Sequence, residues 1–178
     1  MVQVIDETKG EVVGKIIGLN GVHGIAIAPA LNKGFITGGK DSSVTVFDTK
    51  TFAVITKVTV GKGPDAIVFD AFSKNVFVYN AKANSATVLN AETNKVITSI
   101  SLISNPEFSV SDGKGKVYVN LEDKSSIAVI NSSTNKVENV WSVAPGEEPT
   151  GLALDNETHR LFSVCKNKVM VMVDTENR

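Results

Sequence analysis

The chain has 178 residues, 42% hydrophobic and 21% charged, enough for one domain with a substantial core and too apolar in balance for a disordered segment. Lysine and arginine number 18 against 19 aspartates and glutamates, a net charge of −1, so no basic field exists to gather nucleic acid or an anionic membrane. Only Arg160 and Arg178 are arginines, no apolar run reaches the ~20 residues of a membrane-spanning helix, and the lone cysteine, Cys165, excludes a disulfide within the chain.

Short strands are predicted one after another. The first ends in Val4-Ile5-Asp6 and turns into a second. After a loop, Gly24-Ile25-Ala26-Ile27-Ala28 reads as a strand stopped by Pro29, followed by Gly34-Phe35-Ile36-Thr37 and by Val46-Phe47-Asp48. The same order returns as Ala66-Ile67-Val68-Phe69 stopped by Asp70, Asn75-Val76-Phe77-Val78-Tyr79, Val88-Leu89-Asn90 and a strand from Lys95 to Leu102. It returns again as Phe108-Ser109-Val110 before Asp112, Lys116-Val117-Tyr118-Val119, Val129-Ile130-Asn131 and a strand from Lys136 to Val143. A last round holds Gly151-Leu152-Ala153-Leu154 before Asp155, Arg160-Leu161-Phe162-Ser163-Val164 and Met172-Val173-Asp174. These runs are β-branched or aromatic and bounded by turn residues, and no stretch keeps a helical period.

The strand ending in Asp or Asn recurs at Asp6, Asp48, Asn90, Asn131 and Asp174, spacings of 42, 42, 41 and 43 residues. About four copies of a four-stranded unit of roughly 42 residues therefore make up a single domain, 1–178, with units beginning near residues 2, 44, 86 and 127 and a shortened one from 169. A four-stranded repeat of 40 to 45 residues is the period of one propeller blade. The expected fold is all-β: a β-propeller of antiparallel four-stranded blades. Gly24, Ala26, Ala28, Ala66, Gly151 and Ala153 suit the strand nearest the axis, where blades converge.

Val76-Phe77-Val78-Tyr79-Asn80, Val117-Tyr118-Val119-Asn120 and Thr93-Asn94-Lys95-Val96-Ile97 resemble the YVTN-type β-propeller repeat, and the resemblance runs the length of the chain. The first full repeat departs from it, with Thr37-Gly38-Gly39 in place of a Tyr-Asn ending. The resemblance implies a periplasmic or extracellular parent, although Met1-Val2-Gln3-Val4-Ile5-Asp6 has no signal-peptide pattern. Family members usually have seven blades, about 300 residues at this period, so the chain reads as part of a longer propeller. A small ring closed by the first two strands, or two chains sharing one ring through open blade edges, are the alternatives.

In a propeller the loop leading into each inner strand lies on the same face as the loop between its second and third strands. The repeat register lines up His23, Asp65, Glu107 and, beside a one-residue insertion, Glu148 or Thr150 at that mouth. Such a ring would suit a divalent cation or a polar small molecule, while polar residues are also ordinary in solvated loops. Lys40, Asp41, Asn80, Lys82, Asn120, Glu122, Asp123 and Lys166 lie in neighbouring loops and read as solvated surface. His159 falls on the opposite face in a turn, Cys165 reads as a small packed residue, and Trp141 as filler between blades.

No catalytic constellation stands out. There is no Gly-x-Ser-x-Gly elbow and no His-Glu-x-x-His, and Gly61-Lys62-Gly63-Pro64 leads into a strand rather than a helix. The leading expectation is a non-catalytic binding or scaffold module for a small molecule or protein, with no cofactor or metal specified. The alternatives are a propeller enzyme of lactonase or quinoprotein-subunit type using the mouth residues, and a cell-surface interaction protein.

Overall fold

The computed structural model describes residues 1–177, and β-strands dominate it. Strands β1 (Val2–Asp6) and β2 (Glu11–Ile16) form a two-stranded sheet. Three four-stranded sheets follow. The first holds β3 (Val22–Ala28), β4 (Lys33–Gly38), β5 (Ser43–Asp48) and β6 (Val54–Thr59). The second holds β7 (Pro64–Asp70), β8 (Asn75–Asn80), β9 (Ser85–Asn90) and β10 (Val96–Ser101). The third holds β11 (Pro106–Ser111), β12 (Lys116–Leu121), β13 (Ser126–Asn131) and β14 (Lys136–Ser142). A three-stranded sheet of β15 (Pro149–Asp155), β16 (Arg160–Cys165) and β17 (Met170–Asp174) completes the arc. Every pairing is antiparallel and sequential, and β3, β7, β11 and β15 pack side by side. The molecule is a β-propeller arc, with three complete blades between two partial ones. No helix is long and apolar enough to cross a membrane among the described residues.

The recurring strand that ends in Asp or Asn is the third of its blade, and its last residue makes the turn. Asp48 Oδ1 accepts the backbone N–H groups of Lys50 at 2.8 Å and Thr51 at 2.7 Å. Asp6, Asn90, Asn131 and Asp174 cap the corresponding turns in the same way. A short side-chain acceptor at that position substitutes for a backbone carbonyl and starts the reversal, which is why the period is so visible.

Middle strands are apolar on both faces because each blade is sandwiched between neighbours. All six residues of β8 are buried. Their alternation splits the core: Val76 and Val78 pack with Phe35, Val44 and Val46 of the preceding blade, while Phe77 and Tyr79 pack with Val117 and Val119 of the next. Val117 and Val119 in turn leave Tyr118 to face Leu152 and Leu161 beyond. Trp141 sits 5.7 Å from the Tyr118 ring and joins that last interface.

Polar clamps add direction to these apolar seams. Lys33 Nζ donates to the carbonyls of Ala91 at 3.2 Å and Glu92 at 2.6 Å in the next blade. Asp70, fully buried, accepts from Ser111 Oγ at 2.5 Å across the following seam and from Ser73 Oγ at 2.6 Å. Burial opposes ionisation of Asp70, but the hydroxyls of Ser111 and Ser73 and the Ser73 N–H outweigh it and hold the carboxyl below its ordinary range.

Among the described residues a small closed ring is not formed. β1 and β2 pair only with each other, and β17 pairs with β16 alone. Ile5, Ile25 and Ile27 remain exposed at one end of the arc and Val164, Met170 and Met172 at the other.

Phe77→Ala should cost about 3–5 kcal/mol by removing a buried ring between two blades. Urea denaturation measures it, and a loss below about 1 kcal/mol would contradict the interlocked seams described above.

Candidate functional site

The ladder between the first two strands is interrupted in the same place in every blade. Val22, Pro64, Pro106 and Pro149 pair with the last residue of the second strand, and pairing resumes only at Ile25, Ile67, Ser109 and Leu152. The residues skipped are His23 and Gly24, Asp65 and Ala66, Glu107 and Phe108, Thr150 and Gly151. An irregularity of this kind bends the strand and redirects side chains, and it leaves backbone groups without ladder partners. His23, Asp65, Glu107 and Thr150 thus occupy one structural position in four successive blades. Glu148 does not share it. Its φ is 47°, its N–H donates to Ser125 Oγ at 3.1 Å, and its carboxylate pairs with Lys166.

The penultimate residue of the second strand supports these irregular backbones. Thr37 Oγ1 accepts the Gly24 N–H at 2.8 Å and donates to the Asp65 carbonyl of the next blade at 2.7 Å. Asn120 Nδ2 donates to the Thr150 and Gly151 carbonyls, both at 3.1 Å, while its Oδ1 accepts from Ser163 Oγ at 3.0 Å. In the middle blade the position belongs to Tyr79, whose fully buried hydroxyl lies beside Ser109 and whose ionisation burial pushes up.

At the mouth itself, His23 Nδ1 lies 3.3 Å from Asp65 Oδ1, with both side chains about half exposed. Asn105 Nδ2 reaches Glu107 Oε1 at 3.4 Å and Glu122 Oε2 at 3.0 Å, so one amide bridges two carboxyls. Burial, then the charges of Glu122 and Asp65, raise the Glu107 pKa above its ordinary value. A cavity of about 230 Å³ opens beside the His23–Asp65 pair, with Lys40 and Lys82 in its wall. Gly39 lies against the imidazole, where a Cβ would come within 2.9 Å of His23 Nε2. Gly63, at φ +64°, turns the chain under the Lys82 stem.

His23, Asp65 and Glu107 are therefore brought to one mouth, whereas Thr150 is exposed and engaged through its carbonyl rather than its hydroxyl. The divalent-cation expectation finds no formed ligand set: no three His, Cys, Asp or Glu side chains gather to hold a metal among the described residues. Several supposed surface residues also need correction. Asn80 and Asn120 are fully buried, because the ends of the second strands face neighbouring blades rather than water. Glu122 belongs to the mouth beside Glu107. Asp41 is held by Lys57 at 2.7 Å and by Ser43. His159 lies in the turn after β15, 3.6 Å from Glu176, and Cys165 is buried with its thiol pKa raised by that burial. Thr37 and Asn105 are the site residues that sequence reasoning missed, while Glu122, expected in a loop of that face, reads from the sequence as solvated surface. The repeated position of Thr37 and Asn120 was a usable signal for the first, and the Asn105-Pro106-Glu107 adjacency for the second.

The fold and the mouth together define a propeller arc with a polar, concave centre. No family model matches the chain, and no curated protein does. Among solved structures it is similar to a chain of Kuenenia stuttgartiensis hydrazine synthase, with a TM-score of 0.79 and 20% identity over 93% of this chain and 49% of that one. The chain thus spans about half the length of that structure, and at this identity the likeness shows the fold alone.

A raised carboxyl pKa means the fold holds the Glu107 proton more tightly than the unfolded chain does, so stability rises as pH falls through the interval between the ordinary and raised values. Glu107→Gln removes that dependence. Its melting temperature at pH ~7 should exceed that of the parent by a gain worth less than about 1 kcal/mol, and the gain should vanish below about pH 4. Thermal melts across that range measure it, and an equal gain at both ends would contradict the assignment.

Proposed function

We propose that the chain is a non-catalytic, ligand-binding part of a YVTN-type β-propeller, with its ligand seated over the mouth formed by His23, Asp65 and Glu107. The observation that carries this reading is the fourfold irregularity at the head of the inner strands, which sets one residue per blade at the same end of the molecule, two of them, His23 and Asp65, in the wall of the 230 Å³ cavity. A concave site with a few convergent polar groups is the usual form of a small-molecule site. The YVTN assignment is supported by Val117-Tyr118-Val119-Asn120, whose terminal Asn is the residue that secures the next blade's backbone. An extracytoplasmic parent goes with that assignment. Fractionation of the source cells tests it, and recovery of the full-length protein in the cytosol would overturn it.

A catalytic reading has one specific observation in its favour. Glu107, with its raised pKa, is near enough to the His23–Asp65 pair to feel the Asp65 charge, and an acid and a base of unequal strength close together is the arrangement of general acid–base catalysis. The hydrazine synthase likeness adds nothing to it, being a likeness of fold.

Proton NMR of the purified chain with a mixture of common polar metabolites separates the two. Binding predicts selective line broadening of one or a few metabolites, lost in His23→Ala, with no metabolite consumed over hours. Consumption that His23→Ala abolishes would replace the binding module with an enzyme.

A further inference from the structure

The walls of the mouth carry opposite charges. Lys40, on the loop after β4, and Lys82, on the loop after β8, both line the cavity, and neither pairs with a carboxylate among the described residues. The acid adjacent to Lys40 in sequence, Asp41, is occupied by Lys57 and Ser43 and is not available to neutralise it. Both lysines thus line the cavity without an ion-pair partner of their own among the described residues. Across the His23–Asp65 pair the balance reverses. Glu107 and Glu122 share the Asn105 amide, and the Asp65 charge acts on Glu107 as well. Asp65, in contact with His23, lines the lysine cavity and its charge also acts on Glu107, so it lies between the cationic and the anionic side.

A ligand of single charge sign fits such a mouth poorly. An anion held by Lys40 and Lys82 would be repelled by the nearby carboxylates, and a cation held by Glu107 and Glu122 would be repelled by the lysines. Both desolvation and repulsion are relieved by one molecule carrying both signs. The cavity of about 230 Å³ is lined by Lys40, Lys82, His23 and Asp65, so it takes the anionic end of such a molecule and the part that reaches Asp65, with Glu107 and Glu122 outside that lining.

We propose that the mouth takes a small zwitterion of the amino-acid class, its carboxylate between Lys40 and Lys82 and its ammonium against Asp65, Glu107 and Glu122. The assignment rests on the mouth being a ligand site, as argued in the preceding section. His23 positions rather than compensates: its imidazole, backed by Gly39 and fixed by Asp65, presents a flat floor between the two charged ends.

Isothermal titration calorimetry of the chain with glycine, γ-aminobutyrate and ε-aminocaproate, against glutarate and cadaverine, tests it. One of the three amino acids should bind at least tenfold more tightly than glutarate and cadaverine. The Lys40→Ala/Lys82→Ala variant should lose tenfold or more for that amino acid and gain for cadaverine, and Glu107→Gln/Glu122→Gln should lose it and gain for glutarate, each with an intact cooperative melt. Glutarate or cadaverine binding as tightly as the best amino acid overturns the zwitterion and leaves the mouth standing as a ligand site. Silence from all five probes overturns it too. If the metabolite mixture is silent as well, the ligand-site reading beneath it falls.

Discussion

The hydrogen bond from Thr37 Oγ1 to the Asp65 carbonyl, and its counterpart from Asn120 Nδ2 to Thr150 and Gly151, is the interaction on which the rest of the molecule depends. Each inner strand must leave its ladder for two residues if its polar side chains are to face the mouth. That departure leaves backbone groups without partners where blades crowd together, and an unpaired buried group costs about 1–3 kcal/mol. At two of the three seams the blade before supplies the missing partner from a side chain. One side chain therefore satisfies the backbone, ties two blades together and fixes the direction in which the site residue points.

The constraint explains why polar residues sit inside an otherwise apolar seam. Val76 and Val78 face one way and Phe77 and Tyr79 the other, and this alternation alone would hold two blades at a contact distance without fixing their relative height. Directional bonds fix it. Thr37 and Asn120 act at the mouth end of the seams, while Asp70 with Ser111, and Lys33 with the carbonyls of Ala91 and Glu92, act elsewhere along them. The apolar contacts supply most of the free energy and the polar ones the registration, a division expected when burial is non-directional and hydrogen bonds are not.

Fold and repeat were legible in the sequence because both rest on local chemistry. The Asp or Asn that closes each third strand caps its own turn, so the period could be read from one residue type, and the alternation of β8 follows from sequence parity. The ring of His23, Asp65 and Glu107 was legible for the same reason, as a fixed offset within the repeat. Glu122 was placed on that face but read as solvated surface, because it comes from a different loop and its meeting with Glu107 and Asn105 is a tertiary one. The buried state of Asn80 and Asn120 was equally hidden: composition makes asparagine a loop residue, and only the neighbouring blade reveals that the strand end is covered. Glu148 misled by being adjacent to a proline, like Asp65 and Glu107, but on its other side.

A chain with a net charge of −1 can still build a strongly polarised mouth, because what matters there is which charges are left over after local pairing. Lys57 removes Asp41 from the account, and Lys166 removes Glu148. What remains is Lys40 and Lys82 on one side and Glu107 and Glu122 on the other, with Asp65 between them in contact with His23. Lys82 and Asp65 share the second blade, whereas Lys40 comes from the first and Glu107 and Glu122 from the third, so the packing of blades sets most of these separations. Thr37 ties the first of these blades to the second through the Asp65 carbonyl. Under the proposed reading, recognition at the mouth and cohesion of the arc meet in that bond, and a substitution at Thr37 would act on a ligand through Asp65 without touching it.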